Sequence, residues 1–287
     1  MKVGARPFRN AQDSIEYCHK LGVNTAIMEC GKIPGGAEKG YLEPDAIEET
    51  LEILDKGGIS CSVLVERPIP VIGRTPQDNK DLHNRVKTIH AMGKAGVPTV
   101  LLFMLERVEA DADREALWPF FVNHYRYVVE AAGEADVNIA MHGFFPPIGL
   151  VDGNAFFARS FAEFPSLHNG ICYDPGIMAI CGDDPLAGLE AFKDRIHIVH
   201  IRDVKGDWKS VENVKRDDFE RDAYVLEVFP GKGIAKVKPV MRQLYNIGYH
   251  GVVQPEHLGP PSEAELLPAA IQYCKDLISR FEGEKSR

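Results

Sequence analysis

Residues 196–203 read IHIVHIRD, a short apolar run that ends in charged residues. Alternate side chains of a strand point to the same side, so Ile198, His200 and Arg202 are expected to share one face. Each of three further runs is also apolar and ends in a histidine or a carboxylate: VNIAMH (137–142), GICYD (170–174) and GVVQPE (251–256). The pattern predicts strands that carry a chemically active side chain at their carboxyl ends.

Short β-branched runs alternate with longer amphipathic segments, which is typical of repeated βα units around a parallel sheet. The predicted strands are residues 2–6, 23–28, 60–66, 98–104, 136–142, 169–174, 195–202 and 250–256. The predicted helices are residues 11–21, 44–57, 78–95, 113–134, 153–163, 183–194, 236–247 and 263–282. Eight strands close a (β/α)8 TIM barrel, an α/β fold of about 250 residues. An open, doubly wound sheet is the main alternative, but eight successive units without a Gly-rich phosphate loop favour the barrel.

The length of 287 residues suits one large core better than two. We therefore predict a single barrel domain over residues 1–287. The longest insertion, 204–235, follows the seventh strand and is interpreted either as a lid over the site or as a solvated excursion without a chemical role. The polar end EGEKSR, 282–287, is predicted to be a flexible tail.

Charge and composition limit the class of partner. A net charge of −9 and a pI of about 5.6 argue against nucleic-acid binding, which requires a basic surface. No window approaches the roughly 20 apolar residues of a membrane span, and the amino terminus lacks a secretory signal, so a cytoplasmic location is predicted. Six cysteines without a C-x-x-C pair indicate reduced thiols. The expected partner is a small molecule, and a homo-oligomer remains open.

Residues of metal-binding type end four successive predicted strands: His142, Asp174, His200 and Glu256. Active sites of TIM barrels lie at the carboxyl ends of the strands, and strand parity lets these four side chains converge if their faces line the barrel. Imidazole nitrogen and carboxylate oxygen suit Mn²⁺, Fe²⁺, Co²⁺ or Zn²⁺. Because no thiolate is included, a dedicated zinc site is less favoured, and Mn²⁺ is the first prediction.

Each of the four residues also has a structural interpretation. His142 could be a satisfied buried histidine, and Asp174 precedes Pro-Gly in a sequence that suits a turn. His200 could hydrogen-bond a loop, and Glu256 could pair with Arg202. The coincidence of four such residues on successive strands favours the metal site.

Several segments resemble blocks of mannonate dehydratases, a family within the wider xylose-isomerase-like superfamily. The similar segments occur in the same order along most of the chain: VERPIPVIGR (65–74), HNGICYDPG (168–176), AFKDRIHIVHIRDV (191–204), NIGYHGVVQPEHL (246–258) and AIQYCKDLI (270–278). The resemblance implies one divalent metal, commonly manganese. It also implies removal of water from a sugar acid to give a 2-keto-3-deoxy acid.

The resemblance carries over residue by residue. His142 in AMHGFFPP and His200 in VHIRDV match metal ligands of the family, whereas Asp174 stands at its ligand cysteine and Glu256 at its ligand aspartate. Both replacements are usual elsewhere in the superfamily, and Cys172 is interpreted as inward packing. The chain departs from the family at Phe144 and Phe145, where two acidic residues are expected, and FMLERVEAD (103–111) lacks the Trp-x-Arg-Thr block. These departures put strict mannonate specificity in question.

The catalytic residues are predicted with alternatives. His257 matches the histidine after the last ligand and is the first candidate for an acid or base, although strand parity turns it outward unless the chain bends after Pro255. Tyr273 matches a family tyrosine implicated in proton transfer, with packing as its alternative. Arg202 is expected to hold a substrate carboxylate or to form a salt bridge within the site. Residues that end strands two and three are candidates to touch substrate hydroxyls, or lie in solvated loops: Glu29, Glu66 and Arg67.

The superfamily fold also supports other functions. A sugar isomerase or epimerase with the same centre needs a metal-bound glutamate on strands five and eight, and strand five ends here in His142, which favours the dehydratase. An apurinic-site endonuclease needs a basic groove and is disfavoured by the acidic charge. A non-catalytic sugar-binding barrel with a structural metal remains open.

Overall fold

The computed structural model describes residues 1–66, 75–103, 113–143, 150, 153–207, 226–257 and 263–285. Its strands in chain order are β1 Lys2–Val3, β2 Thr25–Glu29, β3 Ser60–Glu66, β4 Thr99–Phe103, β5 Asn138–His142, β6 Asn169–Tyr173, β7 Ile196–Ile201, β8 Asp203–Val204, β9 Glu227–Val228 and β10 Val252–Pro255. The helices are α1 Ala11–Lys20, α2 Gly36–Lys39, α3 Pro44–Lys56, α4 Pro76–Lys94, α5 Arg114–Ala135, α6 Gly153–Glu163, α7 Pro175–Cys181, α8 Pro185–Phe192, α9 Val237–Asn246 and α10 Glu263–Lys285.

Eight of these strands form one parallel sheet in the order β1-β10-β7-β6-β5-β4-β3-β2. The two edge strands meet through a parallel bridge between Ala5 and Ala26. Two backbone hydrogen bonds support this bridge, from Ala5 N to Thr25 O at 3.0 Å and from Ile27 N to Ala5 O at 2.9 Å. The sheet is therefore a nearly closed barrel with helices between its strands, which confirms the predicted (β/α)8 fold and excludes the open sheet.

Strand alternation divides the core into two layers. The inner layer is a cluster of buried side chains from seven strands: Ile27, Val63, Val65, Leu101, Ala140, Cys172, Ile198 and Val252. The other faces of the strands pack against the helices in a second, larger cluster. Residues two positions beyond an inner-layer residue point the same way, so the candidate site lies directly above the inner layer at the carboxyl mouth.

The sequence prediction did not include helices α2 and α7 or strands β8 and β9, and it ended the last helix too early. The short helix α7 follows β6, at the position where Asp174-Pro175-Gly176 suits a turn. Its residues from Pro175 to Ile180 are buried, so apolar packing extends this turn into a helix. Helix α10 continues to Lys285, so most of the predicted tail 282–287 is helical, and 286–287 lie outside the described residues. Within the part of the chain that is described, we find no helix that combines the length and apolar character needed to cross a bilayer.

The described ends of the insertion 204–235 are tied to the barrel, while residues 208–225 lie outside the described ranges. Strands β8 and β9 pair antiparallel as a two-stranded sheet. Asp203 is buried and accepts backbone hydrogen bonds of 2.8–3.0 Å from Val204, Gly231, Gly233 and Ala235. One carboxylate therefore organises the return of the chain towards α9; the proposed role of the segment as a lid stays a prediction.

Candidate metal centre

Neighbouring strands bring the four predicted ligands to one place. His142 ends β5, Asp174 follows β6, His200 lies in β7 and Glu256 follows β10. Each offers one ligand atom, and these atoms all lie within 4.8 Å of one another. All four residues are buried, and His200 is fully inaccessible to solvent. The parity argument thus places the four side chains together as expected, whereas their role as ligands stays a proposal.

The imidazole nitrogens of this cluster lack ordinary partners. His142 Nε2 lies 3.4 Å from Asp174 Oδ2, and His200 Nδ1 lies 3.0 Å from Glu256 Oε2. Yet within the described residues, none of the four ring nitrogens of His142 and His200 makes a well-directed hydrogen bond. Unsatisfied buried polar atoms cost about 1–3 kcal/mol each. A cation bound by these nitrogens and the carboxylates would satisfy them, so the donor set fits a divalent metal.

Asp174 serves two structural purposes with its two oxygens. Oδ1 caps α7 by accepting hydrogen bonds from Gly176 N at 2.9 Å and Ile177 N at 3.0 Å. Oδ2 faces the cluster and also lies 3.1 Å from Arg202 Nε. The turn interpretation and the ligand interpretation are therefore compatible in one residue.

Arg202 lies behind the cluster, and its side chain is almost completely buried. Its guanidinium donates to Asp174 through Nε, to Glu227 through Nη1 and to Glu256 through Nη2. The planar group thus bridges two candidate ligands and one further carboxylate, which fixes the orientation of those ligands. The geometry agrees with the salt-bridge interpretation of Arg202; its predicted contact with a substrate carboxylate remains untested.

Electrostatics favour metal-binding protonation states at three of the candidate ligands: Glu256, Asp174 and His142. Burial opposes ionisation of Glu256, but the charges of His200 and Arg202 outweigh it and hold the pKa of that carboxyl well below its ordinary value. Burial likewise opposes ionisation of Asp174, and Arg202 is the main cause of its lowered pKa. Burial lowers the pKa of His142. Ionised carboxylates and a neutral imidazole are the forms that bind cations.

Cys172 belongs to a second donor set with His142 and His200. The thiol is buried in the inner layer, two residues before Asp174. Burial, followed by the charges of Asp174 and Glu256, raises the pKa of Cys172 well above its ordinary value. The sulfur is therefore protonated beside these carboxylates, in agreement with the packing role predicted for it.

His257 is buried next to Glu256, and its Nδ1 lies 3.4 Å from Glu227 Oε2. Its Nε2 is buried without a hydrogen-bond partner in the described part of the chain. Glu227 lies in β9 and contacts both His257 and Arg202. Sequence reasoning missed Glu227, because a two-residue strand inside a polar insertion gives no periodic signal.

The remaining predicted residues lie farther out or elsewhere. Tyr273 is on α10, where its ring packs edge-on against Phe229 at a centroid distance of 5.8 Å, which agrees with the packing alternative. Glu29 accepts a hydrogen bond from Arg6, a residue that the sequence analysis did not select. Glu66 is buried at the end of β3 and lines a cavity of about 290 Å³ with Cys30 and Tyr41, among others. Arg67, Phe144 and Phe145 lie outside the described residues.

Fold and site together define a parallel (β/α)8 barrel with a nitrogen- and oxygen-donor centre at its carboxyl mouth. The family model of the xylose isomerase-like TIM barrel matches residues 15–277. The chain belongs to the xylose isomerase-like TIM barrel family.

Curated relatives match part of the chain. Mannonate dehydratase of Oceanobacillus iheyensis is 26% identical over 152 residues, which cover 50% of this chain and 40% of that protein. Inosose dehydratase of Clostridium tetani is 32% identical over 107 residues, which cover 37% of this chain and 36% of that protein. The matched regions thus span about two fifths of these relatives.

Solved structures share the fold over nearly the whole chain. The mannonate dehydratase from Streptococcus suis serotype 2 superimposes with a TM-score of 0.76 at 17% identity, covering 100% of this chain and 95% of that one. The IolI protein with a bound zinc atom gives a TM-score of 0.71 at 17% identity, with 98% of each chain covered. At these identities the likeness shows the fold alone.

Proposed function

We propose that the protein is a divalent-metal-dependent dehydratase that removes water from a small polyhydroxylated acid to give a 2-keto-3-deoxy acid. The observation that carries the proposal is the buried quartet His142, Asp174, His200 and Glu256, whose ligand atoms lie within 4.8 Å of one another. The orphaned imidazole nitrogens support a resident cation. Mn²⁺ is the first choice, and the zinc atom of the IolI structure keeps Zn²⁺ among the alternatives.

The names of the relatives support dehydration as the reaction class. Mannonate dehydratase and inosose dehydratase act on different polyols, one an acid and one a cyclic ketone, so the names favour loss of water more strongly than they favour one substrate. The resemblance of ordered sequence blocks to mannonate dehydratases favours the acid. A sugar acid in the cytoplasm is the substrate class that we infer.

Dehydration of an aldonic acid breaks the C–H bond at C2 and the C–O bond at C3, and the resulting enol becomes the 2-keto-3-deoxy product. A divalent cation held by the quartet would supply a Lewis acid for an oxygen beside the departing C2 proton. The protein must then accept that proton and protonate the leaving hydroxyl.

His257 is the proposed proton-transfer residue. Its Nδ1 faces the Glu227 carboxylate, an arrangement that fixes the orientation of the ring and leaves Nε2 to accept or donate a proton. Arg202 holds the two carboxylate ligands in place, and Tyr273 is a second, weaker candidate for proton transfer. Glu29 and Glu66 are proposed to contact substrate hydroxyls from the ends of β2 and β3.

The proposal is tested by incubating Mn²⁺-loaded protein with a panel of aldonic acids, inososes and free ketoses. We expect formation of a 2-keto-3-deoxy acid from at least one aldonate. His200→Ala and Glu256→Gln should each abolish turnover and weaken Mn²⁺ binding, because each removes a donor from the centre. His250→Ala is the matched control, since His250 is exposed just before β10, at the opposite end of the barrel.

The outcomes separate the candidate functions. Epimers or aldose–ketose interconversion in place of a keto acid would replace the dehydratase by the isomerase alternative. Retained turnover in both ligand variants would remove the quartet from the mechanism. Loss of fold on chelation without turnover of any compound would support a sugar-binding barrel with a structural metal.

A further inference from the structure

A second arginine lies at the mouth of the barrel. Arg6 follows Ala5, the residue that bridges β1 to β2. Its Nε donates to the Glu29 carboxylate, and its Nη1 lies 3.9 Å from Glu256 Oε1. The guanidinium therefore lies between the ends of β2 and β10, next to a proposed metal ligand.

Two aromatic rings lie against this guanidinium. Arg6 Cζ is 4.6 Å from the ring centroid of Phe8 and 4.8 Å from that of Phe103. Phe103 in turn lies 5.0 Å from the imidazole of His142, centroid to centroid. A guanidinium over an aromatic face is attracted to the ring and can still donate hydrogen bonds from its edge.

The backbone of Phe8 is strained in a way that serves this contact. Its φ of +53° lies in the left-handed region, which a bulky residue rarely adopts. Phe8 as a residue remains 48% exposed, so burial does not compensate the strain. Strain without a packing reward is a feature of functional sites, and here it places an exposed ring over Arg6.

Arg6 and Arg202 differ in the donors that they keep available. The Arg202 guanidinium is engaged by the carboxylates of Asp174, Glu227 and Glu256. Within the described residues, the hydrogen bond of Arg6 to Glu29 uses Nε, and its two Nη groups make none. The Arg6 side chain keeps 11% of its surface accessible at the mouth.

We propose that Arg6, in contact with the rings of Phe8 and Phe103, recognises the carboxylate of an acidic substrate beside the candidate metal centre. The planar fork of an arginine matches a carboxylate with two parallel hydrogen bonds. This inference rests on the proposed function and sharpens it, because it assigns acid specificity to a residue that follows β1 and lies in no segment carrying the family resemblance. Arg202 is then a positioning residue for the ligands.

The test uses the full chain loaded with Mn²⁺ and two probes, mannonate and mannitol, which differ by one carboxylate in place of a hydroxymethyl group. Arg6→Gln removes the charge and keeps a donor for Glu29, whereas Arg6→Lys keeps the charge and loses the fork. Arg9→Gln is the matched control, because Arg9 is exposed in the same segment and stacks on Tyr17 at 5.4 Å. Melting temperature and Mn²⁺ affinity are measured for every variant.

We expect the wild type to prefer mannonate to mannitol. Arg6→Gln should weaken the binding of mannonate by at least about 30-fold. The effect is measured as KM if the acid is turned over, and as Kd by calorimetry if it is not. The affinity of Arg6→Lys for mannonate should lie between those of the wild type and Arg6→Gln. Neither variant should lose Mn²⁺ binding, and the weak affinity for mannitol should stay unchanged in both. Arg9→Gln should behave as the wild type. If Arg6→Gln does not fold, Arg6→Lys carries the comparison.

Mannonate binding by Arg6→Gln at the wild-type level would overturn the inference and leave the dehydratase proposal standing. Conversely, an Arg6-dependent preference for mannonate without turnover of any aldonate would support the inference and contradict the proposal that the protein is a dehydratase. Binding of neither probe to the wild type would overturn the assignment of Arg6. If Arg6→Lys also loses Mn²⁺ binding, Arg6 has a structural role and the assignment of carboxylate recognition is overturned.

Discussion

At the scale of single residues, the site depends on side chains that do two things at once. Asp174 caps α7 with one oxygen and faces His142 and Arg202 with the other. Its identity was predictable from the run GICYD, because parity and the carboxyl end of a strand are local properties. The partnership of Arg202 with Glu227 was not, because 25 residues separate them and the pairing depends on how the insertion returns.

The two purposes of Asp174 can be separated by mutation. In Asp174→Asn, the amide oxygen can still cap α7, but the charge facing the cluster is lost. We expect Mn²⁺ affinity to fall about 10-fold to 100-fold. Stability should fall as well, because the amide N–H2 group then faces the N–H of Arg202, and Asp174→Ala should cost a further 0.5–2 kcal/mol or so for the lost cap. Metal titration and denaturant unfolding measure the two effects.

Asp184→Asn provides the comparison for this prediction. Asp184 caps α8 through Leu186 N at 2.9 Å and is exposed. Its substitution should leave Mn²⁺ binding unchanged. Equal metal affinity of Asp174→Asn and the wild type would contradict the ligand assignment.

At the scale of elements, amphipathic helices and apolar strands were predictable because each carries its own period. The hairpin of β8 and β9 has two residues per strand, too few for any period. Its position depends on Asp203, whose partners Gly231, Gly233 and Ala235 come 28 to 32 residues later. Such a long-range anchor leaves no local mark on the sequence.

Asp203→Asn tests this anchor. The variant keeps one acceptor oxygen but replaces the other with a donor that faces backbone N–H groups. Leaving buried donors unpaired costs about 1–3 kcal/mol each, so we expect a clear loss of stability in denaturant unfolding. Limited proteolysis should cut the segment 204–235 faster than in the wild type. Unchanged cleavage and stability would show that the hairpin holds without Asp203.

Strand β7 carries a pH-dependent contact away from the site. His197 Nε2 lies 3.0 Å from Leu167 O, and burial lowers the pKa of His197 to about 4. The His197 imidazole takes up a proton near pH 6.5 in the unfolded chain but not in the folded chain. Its contribution to the free energy of unfolding is therefore full above pH 6.5 and is lost as the pH falls towards 4. His197→Gln has no imidazole at this position and should not show this pH-dependent loss of stability.

The measurement for His197 is a series of melting temperatures from pH 8 to pH 4. We expect the stability of the wild type relative to His197→Gln to stay level above about pH 6.5 and to decrease as the pH falls towards 4. A difference that stays constant over this range would contradict the cause assigned to the shifted pKa.

At the scale of the whole molecule, the number of βα units was enough to predict a closed barrel, because eight parallel strands with short connections have few other arrangements. The convergence of the quartet followed from that closure. The mouth was harder to foresee: Arg6, Phe8 and Glu227 belong to segments whose neighbours in space are remote in sequence. Closure brings the first strand next to the last, and this contact has no counterpart in the linear pattern.

The joint between β1 and β2 is held, within residues 1–66, by the Ala5–Ala26 bridge and its two hydrogen bonds, whereas β2 and β3 pair over five residues of β2. Local opening of the barrel should therefore occur first between β1 and β2. The amides of Ala5 and Ile27 should exchange with deuterium sooner than those in the middle of β4 and β5. Arg6 is the next residue along the chain. A ligand that binds both Arg6 and the cation would stabilise the contact between β1 and β2. Its binding should then be detectable as slower exchange at these two amides.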